Sequence, residues 1–131
     1  MKQKQVLSIK QMKYLQDLGL DTSDASMCVE WKESDENNKV VNSLDADTNY
    51  DYYYPTYTLQ DILDKLPHYL NPFPSKQILF AWMIERDTIA YRNVESVDDC
   101  LKHFTDNSLI DAAYEMLCWC IENRYIKKEG E

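Results

Sequence analysis

The chain has 131 residues, 44% apolar and 28% charged, with 14 basic against 23 acidic side chains and a net charge of −9. That length suits one hydrophobic core that needs no disulfide or metal staple, and the composition excludes the disordered class. A net negative chain disfavours direct binding to nucleic acid or anionic membranes, and only two glycines leave no room for Gly-rich phosphate loops.

The charge is uneven along the chain. Residues 1–16 carry four lysines and no acid, whereas residues 17–64 carry twelve acids against two lysines. Ser8-Ile-Lys-Gln11 has the form of a capping box, and Ile9, Met12, Leu15 and Leu18 follow at helical spacing. Gly19 then suits the left-handed stop that ends many helices, so the pattern predicts a helix over 9–18.

Met27-Cys-Val-Glu-Trp31 and Lys39-Val-Val-Asn-Ser43 flank a polar cluster at 34–38 and read as a β-hairpin. Residues 45–51 read as a loop. Tyr52-Tyr-Tyr54 is a third strand candidate ended by Pro55, which removes a ladder donor. Thr58-Leu-Gln-Asp61 opens a second helix, with Leu59, Ile62, Leu63 and Leu66 on one face and Pro67 at its end. Asn71-Pro-Phe-Pro74 reads as a rigid connector.

Ile78-Leu-Phe-Ala-Trp-Met-Ile84 is apolar on both pleat faces, which predicts a central strand covered on both sides. Glu85–Thr88 turns the chain and Ile89–Tyr91 returns as its partner. Ser96-Val-Asp-Asp99 reads as the start of a third helix, with Val97, Cys100, Leu101 and Phe104 apolar. Ser108 caps a last helix through about Asn123, whose wide apolar face marks it as the main core element.

Helices and hairpins are grouped rather than alternating. The fold class is therefore α+β: a single domain over 1–131, mostly antiparallel, with four to five strands and about four helices, frayed at 1–7 and 125–131.

Familiar chemistry finds little support. Asp45, Asp47 and Asn49 match the first ligand positions of a calcium loop, but Tyr50 stands where Gly is needed and Thr56 where the bidentate Glu belongs. Cys100 and His103 share a face of the third helix as read and can ligate a metal or form a thiol–imidazole pair, but further ligands are missing. Cys118 and Cys120 diverge on the last helix and read as small core hydrophobes. Asp98 and Asp99 suit the first turn of a helix, where the dipole favours negative charge. No catalytic residue, metal or cofactor is assigned.

The unusual feature is a tyrosine cluster. Tyr50, Tyr52, Tyr53, Tyr54 and Tyr57 place half of the ten tyrosines within eight positions. Tyrosine gives large contact area at low rotamer cost and is favoured at recognition surfaces. It also packs well across a sheet. One strand cannot bury all five, because successive side chains alternate faces.

The segments Tyr57–Pro67 and Ser108–Asn123, together with Ser8–Ser23, resemble small uncharacterised proteins of Bacteroides-type gut bacteria, their phages and mobile elements. The resemblance implies a bacterial or phage origin and carries no activity. The reading that results is a non-enzymatic interaction or accessory protein, binding another protein or its own copy through the tyrosine-bearing segment. The alternatives are an acidic mimic of nucleic acid that inhibits a basic partner, and a small enzyme with a scattered site. Cysteines without regular spacing and a start lacking an apolar export core point to the cytoplasm.

Overall fold

The computed structural model describes residues 4–30, 39–42 and 53–128. Strands β1 (Met27–Glu30), β2 (Lys39–Asn42) and β3 (Tyr53–Thr56) form one antiparallel sheet in the order β2-β1-β3. Strands β4 (Tyr69–Phe73), β5 (Ile78–Glu85), β6 (Thr88–Asn93) and β7 (Ser96–Thr105) form a second, an antiparallel meander in chain order. Helices α1 (Ile9–Asp17), α2 (Leu59–Lys65) and α3 (Leu109–Glu122) complete the α+β body. A single core cluster joins all three helices to residues of both sheets.

Local chemistry explains the helix ends. In α1, Ser8 Oγ accepts from the Gln11 amide at 3.1 Å while Gln11 Oε1 accepts from the Ser8 amide at 2.9 Å. Each capping bond of this kind contributes about 1 kcal/mol. The helix closes with Leu20 N–H donating to Leu15 C=O and Gly19 N–H to Gln16 C=O, with Gly19 at φ +96°. This paired closure needs the left-handed conformation that glycine adopts cheaply. Thr58 and Asp61 form the second capping box, opening α2. Asp61 also accepts from the Ser26 amide and hydroxyl, at 3.2 and 2.7 Å, which ties the approach to β1 onto α2.

Helix α3 packs on the inner face of β6 and β7 and against α2. It buries Ile110, Ala113, Met116, Leu117, Cys120 and Ile121, as its apolar face predicts. Against it stand Phe80, Ile89 and Tyr91, with Trp82 and Phe104 packed around them.

Three readings are corrected. Residues 96–105 form a strand and not a helix. The ladder shifts between Arg92↔Cys100 and Tyr91↔Lys102, so Leu101 is an extra residue. Leu101 packs toward the core with Phe104, and the bulge converts a strand's period of two into a spacing that imitates a helix. Second, Pro55 lies inside β3, where it is tolerated because β3 is an edge strand. Third, the connector 71–74 is largely β4, another edge strand, with an irregularity between Leu70 and Phe73 that accommodates Pro72. Among the described residues there are therefore seven strands in two sheets rather than four to five in one, and three helices rather than four, with a short 3₁₀ turn at Pro74–Lys76.

Residues 6 and 7 are held to the body of the fold. Val6 bridges Thr58, Leu7 N–H donates to Tyr57 C=O at 3.0 Å, and the Leu7 side chain is fully buried. Near the other end Tyr125 and Ile126 pack on the core.

Candidate interaction surface

The outer face of the four-stranded sheet is the most distinctive surface among the described residues. Alternation along β5 sends Ile78, Phe80, Trp82 and Ile84 inward to the core and Leu79, Ala81 and Met83 outward. The register then sets Tyr69, Ala81, Arg92 and Cys100 in one cross-strand row and Met83, Ala90 and His103 in the next. A third row is polar: Glu85, Thr88 and Thr105, with the two threonine hydroxyls 2.6 Å apart.

This face exposes large apolar side chains among its polar ones. Tyr69 is 61% exposed, Val97 54%, Leu79 38% and Met83 37%. An antiparallel sheet with one solvated face ordinarily shows polar side chains there. The expectation that β5 is covered on both sides is thus met on the inner face only. The two alanines create relief: Ala90 is buried at 2% exposure although its strand face is open. It lies in a hollow of about 490 Å³ whose walls include Met83, Thr88, Arg92, Val97 and Asp98. Arg92 is held across the hollow by its Nη1 donating to Val97 C=O at 3.0 Å.

The tyrosine cluster is placed differently. Tyr57 is fully buried, and its hydroxyl faces Asp21 C=O at 3.1 Å and Asp24 Oδ1 at 3.0 Å. Burial first, and the Asp24 carboxylate second, push its pKa up, so it stays a neutral donor. Tyr57 is a core residue and offers no recognition surface. Tyr54 is half-buried, donating to Gln16 Oε1 at 2.8 Å beneath the Lys13 ammonium, 6.0 Å from the ring. Tyr50 and Tyr52 lie outside the described residues, as do Asp45, Asp47 and Asn49, and the Tyr53 side chain is likewise not described. The tyrosine on the open sheet face is Tyr69, which the cluster did not include.

Cys100 and His103 do share a face, by a route other than a helix. The Leu101 bulge brings Cys100 Sγ to 4.0 Å from His103 Nδ1 on the outer sheet face. Among the described residues no third Cys, His, Asp or Glu joins them in a metal-holding group. Cys118 and Cys120 are buried in the core, and desolvation pushes both thiols up to about 12. Asp98 borders the hollow and Asp99 accepts from Asn93 Nδ2 at 3.2 Å, so neither opens a helix.

A second recess, about 190 Å³, is lined by Asp24, Tyr57, Asp61, Asp64 and Lys65. Its groups are already engaged: Lys65 pairs with Asp24, and Asp61 caps α2. No described helix is long and apolar enough to cross a membrane. No family model, curated protein or solved structure matches the chain.

Proposed function

We propose that the chain is a non-enzymatic protein-interaction module, of bacterial or mobile-element origin, that engages a protein partner through the outer face of β4–β7. The observation that carries this reading is β5. Its sequence is apolar on both pleat faces, and among the described residues helices cover only one of them. An exposed tyrosine, Tyr69, and an exposed thioether, Met83 beside the hollow, are side-chain types that protein interfaces favour. The charged groups that line the hollow, Glu85, Arg92 and Asp98, carry both signs, which suits recognition of a partner by charge complementarity.

The test is comparative capture from a bacterial lysate with the wild-type chain and with Met83→Glu, at low and high salt. The reading expects at least one protein retained by the wild type in high salt and lost with M83E. Identical sets on both baits would overturn it. Retention that high salt abolishes on both baits would favour the acidic-mimic alternative instead.

A further inference from the structure

We infer that the occupant of the outer β4–β7 face is a second copy of this chain, stacked sheet on sheet about a two-fold axis; this rests on the interaction reading above and names its partner. Three properties of the face lead there.

The first is shape. An isologous contact demands that one surface carry both a projection and its socket. Here Met83 stands directly beside Ala90 across the β5–β6 ladder, so the knob and the hollow are cross-strand neighbours. A two-fold copy can lay its Met83 into the facing hollow beside Ala90 and receive the same in return.

The second is charge. The chain carries −9, so two copies repel one another over most approach directions. The outer face is different, because Glu85 and Asp98 are set against Arg92 around one hollow. Each copy therefore offers both signs, and Arg92 of one can meet Asp98 or Glu85 of the other. A strongly basic partner would find no concentrated acid on this face, and a strongly acidic one no concentrated base.

The third is area. Strands about 4.8 Å apart and residues about 3.4 Å apart give four strands a face of about 19 by 27 Å. The eight residues of β5 set that length. Two such faces bury about 1,000 Å² together, the lower bound for a specific interface. A contact at that lower bound is expected to be reversible and concentration-dependent rather than obligate.

Sedimentation velocity on the intact protein, from about 1 µM to about 500 µM, reads this directly. The proposal expects the mass to rise from 15.5 kDa toward its double across that range. Met83→Glu and Arg92→Glu should each weaken association at least tenfold, and R92E/D98R should restore it in part. Thermal melts of the variants verify that each is folded, and Leu79→Asp replaces any that is not. A sample that stays monomeric at the top concentration overturns the proposal, as does a dimer indifferent to both M83E and R92E. If the chain is monomeric yet still captures another protein through Met83, only the second-copy assignment falls. If it does neither, the interaction reading falls with it.

Discussion

Replacing Thr56 by valine isolates one buried hydrogen bond that fastens the start of the chain. Thr56 is fully buried, and its Oγ1 donates to Leu7 C=O at 2.6 Å. Leu7 N–H is already used on Tyr57 C=O, so both backbone groups of Leu7 depend on β3 and its exit. Valine keeps the shape but strips the donor, leaving a carbonyl without its partner in a dry site. That costs about 1–3 kcal/mol, partly offset by about 0.8 kcal/mol from the added methyl. The net expectation is a loss of about 0.2–2 kcal/mol, centred near 1 kcal/mol, or roughly 4 °C in Tm for a domain of this size. Urea unfolding followed by circular dichroism measures the first, and hydrogen exchange at the Leu7 amide measures its local consequence. Faster exchange at Leu7 should accompany the loss. A change below about 0.5 kcal/mol with unchanged exchange would refute the reasoning, because the Leu7 carbonyl would then have another partner.

Two helix ends should respond in opposite senses. Gly19→Ala forces a side chain into φ +96° with its Cβ 3.0 Å from Lys128 Cβ, and should cost about 1–2 kcal/mol in a thermal melt. Arg124 closes α3 at φ +64° through the same paired bonds, from Arg124 N–H to Ile121 C=O and Tyr125 N–H to Cys120 C=O. Arg124→Gly should therefore gain about 0.5–1 kcal/mol, and a loss would show that the arginine side chain matters more than its backbone. Burial holds the thiols of Cys118 and Cys120 well above their ordinary value, at about 12. Stability from that source is complete below the unfolded thiol range and is lost as pH rises from about 9 toward 12, because the unfolded state sheds the proton first. Buried Tyr57 and Tyr91, also raised by desolvation, add to the same alkaline loss. A denaturation midpoint flat from pH 9 to pH 11 would contradict this. In the native state a thiol reagent should label Cys100 while the peptide bearing Cys118 and Cys120 stays unmodified; labelling of all three at one rate would show that α3 opens readily.

The elements governed by near neighbours were readable from the residues. Both capping boxes, at Ser8/Gln11 and Thr58/Asp61, form as their spacing implies, and α3 runs from Ser108 to Asn123 as expected, although the Ser108 side chain makes no capping hydrogen bond. The hairpin of β1 and β2 follows from its β-prone runs and polar interruption. What escaped depends on partners distant in sequence. Leu101 is an extra residue only relative to the β6 ladder, so Val97, Cys100, Leu101 and Phe104 carried a helical period by themselves. Pro55 and Pro72 end strands only if those strands are central, and edge position is decided by the whole sheet. The candidate surface was half visible. Leu79, Ala81 and Met83 signalled a second apolar face on β5, but one sequence cannot distinguish a face covered by its own helices from one left open. Tyr57 misled for the related reason that a hydroxyl can be satisfied inside the core by Asp21 and Asp24.

The blunted margins of the sheets bear on how this molecule can assemble. A ten-residue outer strand such as β7 would ordinarily offer a template on which chains add without limit, and fibres grow that way. The bulge at Leu101 interrupts that template, while Pro55 in β3 and Pro72 in β4 remove donors from two other margins. Lateral growth is thereby obstructed at these three strands, whereas stacking through the flat of the larger sheet is not. Contact through the flat saturates after one addition, so the same bulge that disguised β7 as a helix favours a closed pair over an open-ended polymer.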